Sequence, residues 1–345
     1  MTQYRSRKEK KKELYKKIGL AAVVLAVGIG VVAGVLGAAD KKLLQHEQTE
    51  TRSEDIVYKG KTYTPKGNLE TYLFSGIDAT GTVAERDAKN PGQCDVLILL
   101  VRDRSTEQCK LLTIDRNTIT PVQFYGENGS NQGTAEVQIS LAHSMGADHS
   151  SAEGCAENTI EAVSNLLGGA QIDGYSMVNM SAIQIVNDMV GGVTVTVEDD
   201  FTGVDDTLKK GETVTLNGAQ AENFVRGRKY MKEDDTNQNR LARQSQYEEG
   251  LKVAFAAKCS EDNTFPLDFY HGLDAYMTTN ISARKFSRIA LLMIDDQEET
   301  PVTITGTYGT DENEWQTFKR TRTASRKPSW NCFIKKNKLD IQDPN

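Results

Sequence analysis

The sequence predicts an α/β fold, a mixed β-sheet covered by helices on both faces (an α-β-α sandwich), with an N-terminal transmembrane helix. Three observations carry that prediction. Residues 18–39 run without a charge, short apolar runs bounded by turn residues alternate with helical patterns from residue 69 onward, and a strand-helix-strand rhythm occupies 175–197. Of the 345 residues, 38% are hydrophobic and 26% charged, enough apolar material for a substantial core and too much for a disordered or collagen-like chain.

Residues 1–17 carry eight Lys/Arg against Glu9 and Glu13, while only Lys41 and Lys42 closely follow the apolar run. Positive flanks stay inside, so 1–17 is read as a basic cytoplasmic tail. At about 1.5 Å per residue the 18–39 helix reaches roughly 33 Å, the thickness of a bilayer core. A cleaved signal peptide has an apolar stretch of only about 7–15 residues, so this one reads as a retained anchor with an extracytoplasmic body behind it. Residues 40–68, polar and broken by Gly60, Pro65 and Gly67, read as a stalk.

The body spans 69–318. Its runs at 69–77, 96–101 and 111–114 are buried strands, and 104–108 is short enough for a hairpin between the last two. A helix over 153–167 puts Ile160, Val163, Leu166 and Leu167 on one face and stops at Gly168 and Gly169. Strand 175–179, helix 182–190, the Gly191-Gly192 break and strand 193–197 follow, then helices over about 218–224 and 238–258. From 319 to 345 the chain is basic and irregular.

Net charge is −7, and with the basic tail set aside the remainder stands at −13, an acidic body that repels a nucleic-acid backbone. No direct nucleic-acid contact is expected. GxSxG, P-loop, HExxH and GxGxxG signatures are absent, and the five cysteines (94, 109, 155, 259 and 332) show no metal or redox spacing. Arginine near strand ends and on one helix is the chemical signal. Arg116 follows the 111–114 strand, Arg226 and Arg228 are two apart and share a side if extended, and Arg240, Arg243 and Gln244 share a helical face. Each alone reads as a solvated side chain or surface turn. Converging, they would form a phosphate site, because a guanidinium stays charged and pairs two oxygens at once. Asp78 and Asp95 border strands at the same edge and, with phosphate oxygens, suit Mg²⁺.

Five blocks, "FSGID", "CDVLILLVRD" with "LLTIDRNT", "IDGYSMVNMSAIQIVNDMVGGVTVTV", "LNGAQAENFVRGRK" and "NRLARQ", resemble the LytR-CpsA-Psr family of cell wall glycopolymer transferases over about residues 69–300. The resemblance implies a Mg²⁺-dependent phosphotransferase that moves a glycopolymer, of the teichoic-acid or capsule kind, from a polyprenyl-pyrophosphate-linked donor to peptidoglycan. By the same resemblance Asp78 and Asp95 are the metal carboxylates and Arg116 contacts the pyrophosphate, as do Arg226 and Arg228, with Arg240 and Gln244 from the helix block. Asp95 or Asp115 would accept the proton of the attacking sugar hydroxyl, and Ile183, Val186 and Leu251 would line a channel for the lipid tail. Two departures stand out. The family's Ile-Pro-Arg-Asp-Thr reads Ile114-Asp115-Arg116-Asn117-Thr118 here, and an insertion-like stretch occupies 82–93. In place of the family's final acidic helix stands the basic tail. Codons available to 320–336 spell an acidic amphipathic stretch one frame over, so the tail is read as a frameshift product. A polyprenyl pyrophosphate hydrolase and a non-catalytic polyprenyl-phosphate-binding envelope regulator are the alternative readings.

Overall fold

The computed structural model describes residues 56–58, 61–65, 68–106, 108–126, 128–146, 151–227, 237–295, 302–312, 314–320 and 334–336. Among them no helix is long and apolar enough to cross a membrane, and the 18–39 run lies outside them. In chain order the elements are β1 (Ile56–Tyr58), β2 (Lys61–Pro65), β3 (Leu69–Ile77), β4 (Cys94–Asp103), β5 (Cys109–Ile114), β6 (Ile119–Tyr125), β7 (Asn131–Gln138), α1 (Leu141–Ser144) and α2 (Ala152–Leu166). Then come β8 (Gly174–Asn179), α3 (Ala182–Met189), β9 (Val193–Thr196), β10 (Thr213–Leu216), α4 (Gly218–Arg226), α5 (Asn237–Glu261), α6 (Phe265–Gly272) and β11 (Met277–Thr279). Last are α7 (Ala283–Asp295), β12 (Val302–Thr303), β13 (Gly306–Thr310), β14 (Gln316–Arg320) and β15 (Ile334–Lys336).

Six strands make the central sheet in the order β11-β8-β3-β4-β5-β12. It is mixed: β8 runs parallel to β3 and β12 to β5, while β4 is antiparallel to both its neighbours. Side chains alternate along each strand, so each face acquires its own core. Tyr72, Phe74, Val96, Ile98 and Leu100 face one layer, where they meet residues of α3 to α7 such as Val186, Phe224, Leu251, Phe269 and Phe286. Leu73, Leu97, Leu99, Val101 and Leu112 face the other, against Ala156, Val163 and Leu166 of α2 and Val122 of β6. The predicted two-sided cover is therefore present. Ile183, Val186 and Leu251, taken as channel-lining, are closed core residues at 5%, 0% and 0% exposure.

Gly191 and Gly192 follow α3 with φ of +83° and +95°, and a Cβ on Gly192 would lie 2.6 Å from the Thr215 methyl. Only glycine lets the chain turn that tightly into β9. At the far end of the sheet Glu70 and Arg102 oppose each other across β3 and β4 and pair at 2.5 Å, with Arg102 only 2% exposed. The four described cysteines are buried. Residues 40–68, read as a stalk, include two strands, β1 and β2. One sequence expectation needs correction. The 319–345 segment is not wholly irregular, since it supplies the end of β14, and β15 pairs with β2.

Candidate active site

Strand direction gathers the chemistry at one edge. β3, β5 and β8 end where β4 begins, with Ile77 opposite both Cys94 and Asn179, and Ile114 opposite Leu97. Asp78, Asp95 and Arg116, which the sequence separates by up to 38 positions, meet there as a result. Ligands of open α/β sheets bind at such carboxyl ends.

A β-bulge aims Asp95. Gly76 pairs with Val96 but Ile77 pairs with Cys94, so two residues of β4 answer one of β3 and Asp95 is the extra one. The break in alternation turns Cys94 into the core on the α2 side, its Sγ 3.8 Å from Thr159 Oγ1. Asp95 meanwhile forms an ion pair with Arg116. The turn after β5 holds Arg116: Thr118 N–H donates to Asp115 O at 2.9 Å, Asn117 N–H to Asp115 Oδ1 at 2.9 Å, and Ser140 N–H to Arg116 O at 3.2 Å. Arg116 Nη2 also donates to Gln93 Oε1 at 2.8 Å, while 37% of the side chain stays exposed.

Gln93 links this pair to the other carboxylate. Its N–H donates to Asp78 Oδ1 at 2.5 Å and its carbonyl accepts from Asp78 N–H at 3.1 Å. Gly92 makes the approach possible, with φ +84° and a hypothetical Cβ only 2.8 Å from the Ile77 Cγ2 and 3.1 Å from Asp78 Oδ1. Asp78, Gln93, Arg116 and Asp95 are thus one connected unit. Among the described residues no three metal-binding side chains cluster. The two carboxylates nonetheless match in kind what Mg²⁺ takes from a protein, one or two carboxylates completed by substrate phosphate and water.

Asp115, a candidate proton acceptor, is otherwise engaged. Its carboxylate accepts from the Tyr308 hydroxyl on β13, and that phenol is pushed well above its usual pKa, by burial first and then by Asp115. Asn117, the departure from the family motif, does not reach Arg116 but turns toward Gln316 at 3.4 Å and Gln138 at 3.5 Å. The charge that positions the arginine comes from Asp95.

The remaining predicted residues form a second group. Arg226 is the last residue of α4 rather than part of an extended segment, and it pairs with Glu222 one turn back. Arg228 lies outside the described residues, as does the side chain of Arg240 in α5. Arg243 and Gln244 differ from the expectation that they contact substrate. Arg243 is 4% exposed, pairs with Asp199, and donates to the carbonyls of Phe224 (2.9 Å) and Gly227. Gln244 donates to Val225 O at 3.3 Å. Both satisfy the open carbonyls at the end of α4 and so hold Arg226 in place.

A cavity of about 370 Å³ opens beside Asp78, walled by Arg86, His143, Asn179, Tyr276 and Thr278. The insertion-like stretch forms its outer wall, where Thr82 and Glu85 cap a short 3₁₀ turn reciprocally. His143 is 4% exposed, its Nδ1–H donates to Gly92 O at 3.1 Å, and burial lowers its pKa to about 4. Neither Gln93 nor His143 was singled out from the sequence.

A mixed sheet with an arginine–carboxylate unit at its strand ends defines the α/β class of this protein. The chain belongs to the LytR_cpsA_psr family, whose profile matches residues 35–325. It is 29% identical over 230 residues to the Bacillus subtilis polyisoprenyl-teichoic acid–peptidoglycan teichoic acid transferase TagV, covering 63% of this chain and 52% of that relative. The chain thus matches about half of TagV's length. It is 28% identical over 280 residues to the Bacillus licheniformis TagU transferase, covering 80% of each. The Bacillus subtilis TagV crystal structure shares the fold at TM-score 0.50 and 23% identity, covering 74% of this chain and 92% of that one.

Two outcomes follow. Arg243→Met leaves Asp199, 7% exposed, buried without its cation, and should cost about 3–5 kcal/mol in denaturant unfolding; a loss below about 1 kcal/mol would contradict the assignment. For His143, the unfolded chain binds a proton near pH 6.5 and the folded chain only near pH 4, so stability falls as pH drops through that window. Wild type should lose roughly 1.4 kcal/mol more per pH unit there than His143→Leu, and parallel pH profiles would contradict the buried neutral imidazole.

Proposed function

We propose that the chain is a membrane-anchored phosphotransferase that attaches a teichoic-acid or capsule-type glycopolymer, delivered on a polyprenyl pyrophosphate, to peptidoglycan. The observation that carries this is the Asp95-held Arg116 at the sheet edge, tied through Gln93 to Asp78. Family membership supports the reading, as does the activity for which TagV and TagU are named. The uncharged 18–39 run supports an anchor that keeps the body at the membrane where a lipid-linked donor resides.

In this reading the oxygen of an acceptor sugar hydroxyl bonds to the phosphorus bearing the glycopolymer. The bond from that phosphorus to the polyprenyl phosphate breaks, and the hydroxyl proton passes to Asp95, the carboxylate beside Arg116. Arg116 offsets the charge that develops on the departing lipid phosphate, with Arg226, Arg228 and Arg240 as further contacts to the donor. Such fixed charges act most strongly in the transition state. Asp78 and Asp95 would hold Mg²⁺, which when bound supplies charge neutralisation for the pyrophosphate. Asp95 has three tasks here: it orients the guanidinium before the donor arrives, would share the metal with Asp78, and takes the hydroxyl proton.

A second reading, an envelope regulator that binds the lipid without turning it over, is favoured by the 26% identity over 186 residues to Biofilm regulatory protein A of Streptococcus mutans. The destination of a labelled glycan separates the possibilities. On a transferase it ends on peptidoglycan, on a hydrolase in solution, and on a regulator it stays on the lipid. Arg116→Ala should lower transfer by about 100- to 1,000-fold while the chain stays folded. Undiminished turnover of the lipid-linked donor would refute the role of Arg116.

A further inference from the structure

The hairpin of β13 and β14 grips the turn that carries Arg116, although Tyr308 and Asp115 lie 193 positions apart in the chain. Asp115, Arg116, Asn117 and Thr118 form a β-turn, closed by Thr118 N–H donating to Asp115 O at 2.9 Å. The chain enters it from β5, whose last residue Ile114 is 2% exposed, and leaves it into β6. The next two carbonyls are held from outside. Ser140 N–H donates to Arg116 O at 3.2 Å, and Phe318 N–H on the hairpin donates to Asn117 O at 2.7 Å. The Asp115 carboxylate is held at both oxygens: Oδ1 accepts from Asn117 N–H at 2.9 Å within the turn, and Oδ2 accepts from the Tyr308 hydroxyl. Tyr308 is itself fixed, its ring centroid 4.9 Å from that of Phe318, which is only 6% exposed in the core on the α2 side. Burial and Asp115 raise the phenol above its ordinary pKa, so the hydroxyl keeps its proton at neutral pH and donates.

We propose that Tyr308 is a positioning residue for Arg116, acting through Asp115 to fix the turn from which the guanidinium projects. The proposal rests on the transferase reading, which it deepens by naming what aims the charge. Asp95 and Gln93 hold the guanidinium at its tip. Several rotatable bonds separate that tip from the main chain, so its aim also depends on how firmly the turn is held. A displacement of about 1 Å at a reacting group costs up to about 100-fold in rate. Asp95 also holds the metal and takes a proton in the proposed reaction, which loosens its grip on Arg116 as the reaction proceeds. The link from Asp115 to Tyr308 takes no part in that chemistry and persists throughout.

The test uses the full chain in detergent, with a lipid-linked glycopolymer as donor and soluble peptidoglycan oligomers as acceptor. Transfer kcat and donor KM are measured together with NMR relaxation of the Arg116 side-chain Nε–H, assigned by its loss in Arg116→Lys. Tyr308→Phe keeps the ring on Phe318 and removes only the hydroxyl, so the chain stays folded. It should lower kcat about tenfold, the scale of one hydrogen bond to a charged group, leave donor KM within about twofold, and make the Arg116 Nε–H more mobile. In an Asp115→Ala background the same change should alter neither kcat nor the relaxation, because the link is already cut. A tyrosine that served stability alone would shift thermal unfolding and leave kcat per folded molecule untouched. Wild-type kcat in Tyr308→Phe, a fall in kcat with unmoved Arg116 relaxation, or an undiminished loss in the Asp115→Ala background would each overturn the proposal. The two readings fail separately. No transfer by wild type, with the Arg116 Nε–H still loosened by Tyr308→Phe, upholds the brace and removes the transferase; transfer with Tyr308→Phe equal to wild type does the reverse.

Discussion

The ion pair between Asp95 and Arg116 is the interaction on which the site depends, and a single extra residue in β4 makes it possible. In a regular strand Asp95 would share a face with Leu97 and Leu99, which are fully buried on the α2 side. An unpaired carboxylate there would be costly to bury. The bulge between Gly76 and Ile77 transfers that inward position to Cys94 and leaves Asp95 at the sheet edge, where Arg116 neutralises it. Once Asp95 is so placed, the arginine is oriented before any ligand arrives, and Gln93 ties the pair to Asp78. Preorganised charge of this type does not have to rearrange when a phosphate binds.

Support for the site comes from three different parts of the chain. The Gly92 turn brings Gln93 against Asp78. The hairpin of β13 and β14 packs over the Arg116 turn, with Phe318 N–H donating to Asn117 O at 2.7 Å and Tyr308 engaging Asp115. That explains how the Asp-to-Asn difference at position 117 is accommodated: the side chain faces the amides of Gln138 and Gln316, where neutrality is no handicap. On the opposite layer, Arg243 and Gln244 fasten the end of α4 from the neighbouring helix, and Phe201 lies beneath the Arg243 guanidinium at 5.3 Å.

Much of the architecture was legible because buried strands and amphipathic helices announce themselves. β3, β4, β5 and β8, with helices α2 to α5, are apolar runs or helical patterns between polar or turn residues. The hairpin of β6 and β7 was not, since Asn131–Gln138 is almost wholly exposed and offers no apolar alternation. β13 escaped for the same reason, and β14 because only Thr317 and Phe318 of its five residues are buried. For the site, Asp78, Asp95 and Arg116 were recognisable from motif strings and strand-end positions. Gln93 and His143 were not, because their roles arise from a turn folding back 15 residues and from burial against a glycine carbonyl 51 residues away. Arg243 was misread because spacing places it with Arg240 and Gln244 without saying which arc faces inward. The buried Tyr247, Leu251 and Phe255 on the same helix mark that arc.

The central claim is that a pyrophosphate settles on the preformed Arg116 unit. It is tested most directly by a structure of the full chain in detergent with a polyprenyl pyrophosphate and Mg²⁺. The account predicts phosphate oxygens within hydrogen-bond distance of the Arg116 guanidinium and the metal on Asp78 and Asp95. A pyrophosphate bound elsewhere, with Arg116 still engaged only by Asp95 and Gln93, would contradict it.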